Sequence, residues 1–425
     1  MADFIEIVDS IMGSSKTNRI LEWMDKNPDE KYLYISPLLS EIDKDSRLQN
    51  NLKYVTFENP ESIDSDTKSD DLLRKLKEGA NICCTHQLYL TMKKEHLDEI
   101  RARGYICLMD EELGVVEALK SYSADDLKYL LRNEDIEISP EDGMISWVGE
   151  AVGENNKYRY FNNLCNSKAV YATKRMDTLM VTQLPIELIT CAKRVIVLTY
   201  LFEGNILDCF LKLKGIPTKP FKEITPDVVT KESIRDLITL VPPTKAVKAV
   251  KMTVSGYNNC TQADCKVVAA YIRNVSRKYA DSSYDVMYTF PKSLASTSRK
   301  NGRHIKPASF IEYKQPKLDE NGNELKNNKG EVEYETKPCW VYAACRATNQ
   351  YAFKSVLVHC YDRYPNATVD QYLVDYGFPV KRKVFALSEI CQWVWRSRIR
   401  NGQPIVLAIG NQRMHDIFKD WLESD

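Results

Sequence analysis

A polar segment near the N-terminus has the residue types of a phosphate-binding loop. Residues 10–17 read Ser-Ile-Met-Gly-Ser-Ser-Lys-Thr, and they stand between an apolar segment that predicts a strand and a segment that predicts a helix. In this context main-chain N–H groups and the helix N-terminus cradle phosphates, a lysine reaches the β- and γ-phosphates, and a hydroxyl binds Mg²⁺. The residues that would bind ATP and Mg²⁺ in this way are Gly13, Ser14, Ser15, Lys16 and Thr17.

The loop departs from the usual glycine-rich pattern at two positions. Ser10 and Ser15 stand where glycines normally occur. The change at Ser15 matters more, because glycine there permits a close approach of the main chain to the phosphates. A helix start capped by serine, followed by a surface lysine, is the alternative interpretation.

Adjacent carboxylates follow a second apolar segment, residues 105–109. In a nucleotide-hydrolysing site Asp110 would hold Mg²⁺ together with Thr17, and Glu111 would polarise the attacking water. Acidic residues at the start of the next helix are the alternative. Their position at the end of a strand favours the first interpretation, because open α/β sheets bind ligands at the carboxyl ends of their strands.

A third group of candidate residues lies near the C-terminus. Gln392, Arg396 and Arg400 are spaced four apart, so they would share one face of a helix predicted over residues 386–400. Arginines supplied by a second domain can stabilise the charge on a transferring phosphoryl group. A solvated basic face, with the two tryptophans of this segment in the core, is the alternative.

The first half of the chain alternates apolar runs with helical patterns, which is typical of βαβ units and a largely parallel sheet. We assign residues 1–216 to a first domain, with residues 117–185 as an accessory insertion. Strands are predicted at residues 4–8, 32–35, 52–55, 81–84, 105–109 and 194–199, and helices at 16–24, 71–78 and 94–103.

The alternation restarts in residues 217–425, which we assign to a second domain after a hinge at 217–222. A hydrophilic stretch, residues 314–337, predicts one or two surface hairpins. Strands are predicted at residues 286–290, 340–344, 355–360 and 404–409, and helices at 370–376, 386–400 and 412–422.

Composition limits the possible classes of function. The formal net charge is zero, so nucleic acid would be bound through local basic clefts and not through a global positive field. The 12 cysteines include no pair spaced as CxxC, which argues against zinc and favours free thiols in a reducing cytoplasm. The sequence shows no secretory leader and no apolar run long enough to span a membrane, so we expect a cytoplasmic protein with no membrane partner.

The three groups of residues together resemble superfamily 2 helicases, closest in pattern to helicase-like replication proteins of bacteriophages and to herpesvirus origin-binding helicases. Residues 10–17 resemble the first motif of that superfamily, and Asp110-Glu111-Glu112-Leu113 resembles its DExx box. Residues 392–400 resemble the QxxGRxxR motif. There Trp395 replaces the glycine and the second arginine, Arg400, falls one residue late, so either Arg396 or Arg400 could be the arginine finger.

The resemblance also implies roles for shorter motifs. Thr199 sits where the family couples hydrolysis to strand movement. The residues that would contact nucleic acid are Ser36, Pro37, Thr85, His86, Arg346, Thr348 and Asn349.

The resemblance implies two RecA-like domains with the ATP site in the cleft between them, and an ATP-dependent helicase or translocase in a phage-like setting. DNA is favoured over RNA, and other replication proteins are possible partners. A phage DNA-packaging (terminase-type) ATPase, a nucleotide-gated binding protein with little hydrolysis, and a metabolic P-loop kinase are the alternatives. The packaging enzyme would need a two-metal nuclease site, for which the spacing of Asp362, Asp370 and Asp375 is unconvincing.

Overall fold

The computed structural model describes residues 2–37, 39–43, 46–62, 66–150, 152–174, 180–295, 302–319, 323–345 and 350–424. Its strands are β1 (Ile5–Asp9), β2 (Tyr32–Ser36), β3 (Ile82–Thr85), β4 (Ile106–Asp110), β5 (Val116–Ala118), β6 (Ile136–Ile138), β7 (Ile145–Trp147), β8 (Val170–Ala172), β9 (Met180–Gln183), β10 (Arg194–Thr199), β11 (Thr218–Pro220), β12 (Ile238–Val241), β13 (Val286–Thr289), β14 (Glu312–Pro316), β15 (Tyr334–Pro338), β16 (Val356–His359) and β17 (Ile405–Ile409).

The helices are α1 (Lys16–Lys26), α2 (Arg47–Asn50), α3 (Lys68–Glu78), α4 (His86–Tyr89), α5 (Lys94–Arg103), α6 (Ala124–Arg132), α7 (Arg159–Asn166), α8 (Ile186–Thr190), α9 (Ile206–Leu213), α10 (Lys231–Arg235), α11 (Lys245–Lys248), α12 (Val254–Asn258), α13 (Gln262–Tyr279), α14 (Ala367–Asp375), α15 (Arg382–Val394) and α16 (Gln412–Glu423). Within the described ranges, no helix has both the length and the apolar composition needed to cross a membrane.

The first sheet has the strand order β11-β1-β10-β4-β2-β3, and every neighbouring pair is parallel. Its inner strands β10, β4 and β2 are mostly apolar because both of their faces are covered, as in other parallel sheets, whereas the edge strand β11 is polar and partly exposed. In β2, Leu33 and Ile35 enter the core on one face, while Tyr32 and Tyr34 enter the core on the other. The predicted parallel α/β architecture is therefore confirmed for this half of the chain.

The chain divides into two compact units, Met1–Asp227 with Pro365–Phe385, and Val228–Tyr364 with Ala386–Asp425. These bounds differ from the boundary predicted at residue 216. Residues 217–227 stay in the first unit because β11 pairs with β1. The segment that contains α14 also joins the first unit, because Tyr372 and Leu373 are buried in the core that contains Ile5.

An accessory part of the first unit follows the acidic segment, in the region predicted as an insertion. It contains the antiparallel sheet β5-β9-β8 and the hairpin β6-β7. Leu127 of α6, Phe161 of α7 and Ile145 of β7 are fully buried in a separate small core. This segment thus folds around its own apolar cluster, which explains why its pattern differs from the βαβ units around it.

The second sheet has the strand order β12-β17-β16-β13, and it too is entirely parallel. The long helix α13 packs against it through Val268, Ile272 and Val275. In the hydrophilic stretch predicted at residues 314–337, β14 and β15 pair as an antiparallel hairpin. Two short arms branch from that hairpin, with isolated bridges Leu318–Glu324 and Lys326–Val332.

Two predicted strands are wrong. In residues 52–55, the N–H groups of Lys53, Tyr54 and Val55 donate to the Asp25 carboxylate and to no neighbouring strand. In residues 340–344, a single bridge joins Trp340 to Tyr288 before the chain turns away. Local apolar content suggested strands in both places, but residues 52–55 bond to Asp25 instead, and residues 340–344 keep only the pairing of Trp340 with Tyr288.

A buried lysine anchors the base of the β14-β15 hairpin. Lys354 is 0% exposed, and its Nζ donates to the main-chain oxygen of Tyr284 at 2.7 Å. The same Nζ lies 3.3 Å from the centre of the Tyr313 ring and 4.8 Å from that of Phe353. Burial lowers the pKa of the Lys354 amine to about 7. This pKa makes the second unit sensitive to pH.

The cysteines carry free thiols, as predicted. All but Cys345 are buried, and burial raises the pKa of the Cys83 thiol to about 12. Thiols with such pKa values stay protonated at neutral pH and react slowly.

Candidate nucleotide site

The predicted phosphate-binding loop joins β1 to α1, which is the context that its sequence predicts. Gly13 has a φ of 86° and Ser15 has a φ of 55°, so both occupy the left-handed region. Ser15 therefore adopts the backbone conformation that glycine would provide at this position, at the energetic cost of placing a Cβ there. The hydroxyl of Ser14, which is buried, donates to the main-chain oxygen of Ile11 at 2.7 Å and closes the turn.

Lys16 is the first residue of α1, and its ammonium group lies over the loop. Its Nζ donates to the main-chain oxygen of Ser10 at 3.1 Å. The first turn of α1 contains no acidic residue, whereas its last turn contains Lys26. The positive end of the helix dipole thus points toward the loop without a carboxylate in its own first turn, which suits an anion. The half-buried Thr17 follows in the same turn.

The register of the first sheet brings the other candidate residues to the same edge. Asp9 pairs with Thr199 at the ends of β1 and β10, and Leu198 pairs with Asp110 of β4. Farther along this edge, Ser36 of β2 pairs with Thr85 of β3. Because all these strands are parallel, their carboxyl ends lie beside the phosphate-binding loop that leaves β1.

The consecutive acidic residues are held in different ways. Asp110 accepts a hydrogen bond from the Tyr34 hydroxyl at 2.8 Å, which fixes its carboxylate beside β2. Glu111 has a φ of 69°, in the left-handed region, so the chain changes direction directly after the strand. Glu112 accepts from the Thr199 hydroxyl at 2.8 Å. The Glu112 side chain thus connects the end of β4 with β10, and roles for Asp110 and Glu111 in catalysis stay predictions.

The predicted nucleic-acid contacts on the first unit have structural partners. The His86 Nε2 lies 3.2 Å from the main-chain oxygen of Asp110, and the Thr85 hydroxyl accepts from the N–H of Leu88 as the N-cap of α4. Ser36 is fully buried. Pro37 is half-buried and follows it directly. These side chains thus lie close to the acidic segment, and a role in contacting nucleic acid stays a prediction.

Sequence reasoning missed one residue of the loop's surroundings. The Asp227 carboxylate accepts two hydrogen bonds from Arg19, at 2.6 and 3.2 Å. A hydrogen bond from Ser15, and then those from Arg19, hold the pKa of Asp227 below its usual value. The N–H of Asp227 also donates to the Ser14 oxygen at 2.8 Å. No local pattern could reveal these contacts, because Asp227 and Arg19 are 208 positions apart.

The segment that leads to Asp227 is tied to α1 as well. The indole of Trp23 donates to Glu223 at 2.8 Å, and its ring packs edge-on against Phe221. Glu223 also binds Arg194 of β10 at 2.6 Å. We call residues 221–227 the strap, because they run along α1 from β11 to the phosphate-binding loop and end where the first unit ends.

The prediction of one helical face for Gln392, Arg396 and Arg400 is wrong. Helix α15 ends at Val394, and Arg398–Asn401 form a separate 3₁₀ turn. The helix ends there because the Ser397 hydroxyl and N–H both donate to the Val394 oxygen.

The two candidate arginine fingers differ in exposure. Arg396 is only 9% exposed, and its Nε donates to the oxygen of Cys345 at 3.3 Å. Arg400 and Gln392 are half-buried. The other predicted contacts of the second domain, at Arg346, Thr348 and Asn349, lie outside the described residues.

Two wholly parallel sheets, with the predicted phosphate-binding loop and an acidic strand end on the first, define an α/β protein built from two RecA-like domains. The likeness to solved structures supports this fold. The structure titled XPD_APO matches with a TM-score of 0.51 and 14% identity, covering 99% of this chain and 95% of that chain. Xpd4 of S. tokodaii matches with a TM-score of 0.50 and 12% identity over the same shares.

Sequence comparison finds a phage-derived protein that is similar to this chain. The chain is 27% identical to the SPbeta prophage-derived uncharacterized protein YonV of Bacillus subtilis strain 168, over 99% of both chains. Residues 232–422 match the family described as the YonV C-terminal Rossmann-like domain. The prediction of a phage-like setting is consistent with this relative.

Proposed function

We propose that this chain is an ATP-dependent helicase or translocase on nucleic acid. The observation that carries the proposal is the convergence of the phosphate-binding loop, Asp110 and Glu111 at one edge of a parallel sheet. The left-handed conformation of Ser15 supports nucleotide binding, because it is the conformation that glycine provides in loops of this kind.

In the proposed reaction, Lys16 and the N–H groups at the start of α1 hold the triphosphate of ATP. Thr17 and Asp110 are the residues that would hold Mg²⁺, which supplies charge neutralisation at the phosphates. Glu111 orients a water molecule and accepts its proton as the water oxygen bonds to the γ-phosphorus. The bond from that phosphorus to the β–γ bridging oxygen breaks, and ADP and phosphate leave.

The second unit would contribute an arginine to the same reaction. Of the two candidates, Arg400 is the more exposed and Arg396 is mostly covered. We therefore favour Arg400 as the group that stabilises charge on the transferring phosphoryl. Thr199, which bonds to Glu112, would couple the acidic segment to strand movement.

The predicted nuclease carboxylates give no support for the packaging-nuclease alternative. The candidate carboxylates are split between the units, since Asp362 follows β16 whereas Asp370 and Asp375 lie on α14 of the first unit. Each has a different partner: Asp362 binds Arg413, Asp370 binds Arg382, and Asp375 accepts from Gln371. In the part of the chain that the structure describes, no three His, Cys, Asp or Glu side chains are grouped to hold a metal ion.

ATP hydrolysis by the purified protein tests the proposal, measured with no polymer, single-stranded DNA, duplex DNA and RNA. We expect hydrolysis that rises with one polymer, and a fall of about 100-fold or more in Lys16→Ala and in Glu111→Gln. The control Lys26→Ala removes an exposed lysine at the far end of α1 and should leave the rate unchanged.

Each result separates the candidate functions. Polymer-dependent hydrolysis would identify the nucleic acid on which the protein acts and decide between DNA and RNA. Hydrolysis in the two site variants equal to wild type would show that another site is responsible. An absence of hydrolysis under all conditions would contradict the motor and favour a nucleotide-gated binding protein.

A further inference from the structure

Aromatic and arginine side chains line the carboxyl-terminal edge of the second sheet. Three neighbouring strands of that sheet, β13, β16 and β17, end at this edge. The Trp340 indole donates to the oxygen of Phe290, directly after β13, at 2.8 Å. Residues 360–364 follow β16, and Arg413 follows β17 in the first turn of α16. This edge is where ligands bind in open parallel sheets.

We call six side chains at this edge the aromatic row: Trp340, Tyr342, Tyr361 and Tyr364, with Arg363 and Arg413. The rings of Trp340 and Tyr342 are 6.3 Å apart. Burial raises the pKa of the Tyr361 phenol, and the Arg363 guanidinium opposes this shift. Arg363 lies 4.9 Å from the centre of the Tyr361 ring, and Arg413 lies 3.9 Å from that of Tyr364.

Two rings of the aromatic row are open to solvent. Tyr342 is 53% exposed and Tyr364 is 40% exposed, and the Tyr342 ring lies beside that of Trp340. Arg413 lies over Tyr364 and also donates to the Arg363 oxygen at 3.1 Å. An exposed ring fixed in this way offers a flat π face with little entropy left to lose when a ligand stacks on it.

The charges of the aromatic row are already neutralised. Arg413 binds Asp362 at 2.6 Å, and the Arg363 Nε binds the buried Glu389 at 2.9 Å. Bound phosphate would have to compete with these carboxylates, so the row is poorly suited to reading a phosphate backbone. It is well suited to flat, uncharged aromatic groups, which stack on tyrosine and arginine planes.

We infer that the aromatic row binds the bases of single-stranded nucleic acid by stacking on Tyr342 and Tyr364. The inference rests on the proposed function and limits its substrate to single-stranded nucleic acid, because bases in a duplex are stacked on each other and present no free face. Every base has a π face, so binding would be tolerant of sequence.

Fluorescence anisotropy with a labelled oligothymidylate of about 20 nucleotides tests the inference, since this exceeds a typical single-strand site. Tyr342→Ala and Tyr364→Ala should each weaken binding by roughly 5- to 100-fold, while the matching Tyr→Phe variants keep wild-type affinity. Tyr54→Ala is the matched control, because Tyr54 is 74% exposed in the first unit. Unlabelled oligouridylate and unlabelled duplex DNA, added as competitors, show whether RNA or paired strands displace the labelled oligothymidylate.

An abasic oligonucleotide of the same length needs no protein variant and so avoids any question of folding. Wild type should bind it at least about 10-fold more weakly than oligothymidylate. Equal binding of the two, or unchanged affinity in both alanine variants, would overturn the inference. Failure to bind any polymer would overturn it as well.

ATP hydrolysis, measured on the same preparations, keeps the two proposals apart. Polymer-stimulated hydrolysis that the tyrosine variants do not change would support the proposed motor and contradict base stacking on the aromatic row. Base-dependent binding without hydrolysis would support base stacking on the aromatic row and contradict the proposed motor.

Discussion

Replacing the buried amine of Lys354 should make the second unit more stable, and by an amount that depends on pH. The variant Lys354→Met keeps the length of the side chain and removes its charge. Burial lowers the pKa of the amine from 10.5 to about 7 in the folded protein. Above pH 10.5 the amine is neutral in both states, so protonation has no effect on stability.

As the pH falls from 10.5 toward 7, the unfolded chain binds a proton that the folded lysine does not. The free energy of unfolding then decreases by about 1.4 kcal/mol per pH unit. Between pH 9 and pH 7 the wild type should therefore lose about 2 kcal/mol relative to Lys354→Met. Loss of the hydrogen bond to Tyr284 costs about 1 kcal/mol at both pH values and does not change this difference.

Urea unfolding at pH 7, 8 and 9, followed by tryptophan fluorescence, measures the difference. Four of the six tryptophans lie in the second unit, so this signal mainly reports its unfolding. The exposed Lys326→Met is the control and should show no such pH dependence relative to wild type. A stability difference that is equal at pH 7 and pH 9 would refute the reasoning. It would mean that the Tyr313 ring and the Tyr284 oxygen compensate fully for the buried charge.

Two further predictions concern the phosphate-binding loop. Ser15→Gly should keep ATP hydrolysis within a few-fold of wild type, because glycine adopts the same left-handed conformation. Ser15→Val should abolish hydrolysis, because a β-branched residue rarely adopts that conformation. Steady-state rates of ATP hydrolysis check both variants, and an active valine variant would contradict the role of this turn. Asp227→Asn should tighten ADP and ATP binding by about two- to five-fold, because it removes a negative charge beside the loop. Calorimetric titration checks this, and weaker binding would mean that Asp227 instead holds the loop in its binding conformation.

Most of the first sheet was predictable because its strands are short apolar runs buried on both faces. The phosphate-binding loop was predictable for a related reason, since Lys16 and Thr17 stand where a strand gives way to a helix. Such signals are local, and each needs only its own segment of sequence to be recognised.

The features that escaped prediction depend on distant partners. Residues 52–55 form no strand because Asp25 captures their N–H groups. Helix α15 ends early because of hydrogen bonds made by Ser397. Asp227 reaches the loop only because β11 first pairs with β1. None of these partners can be identified from the residues around the feature itself.

The discontinuity of the first unit determines how the chain can be made and divided. The core around Ile5 is completed by Tyr372 and Leu373 of α14, so residues 228–364 must be synthesised before that core can close. At about 5–20 residues per second, the ribosome would need on the order of ten seconds for that stretch. Throughout that time the apolar surface that α14 later buries stays exposed on the nascent first unit and can bind chaperones. A fragment ending at Asp227 would keep that exposed surface permanently, so a separately expressed first unit must also contain residues 365–385.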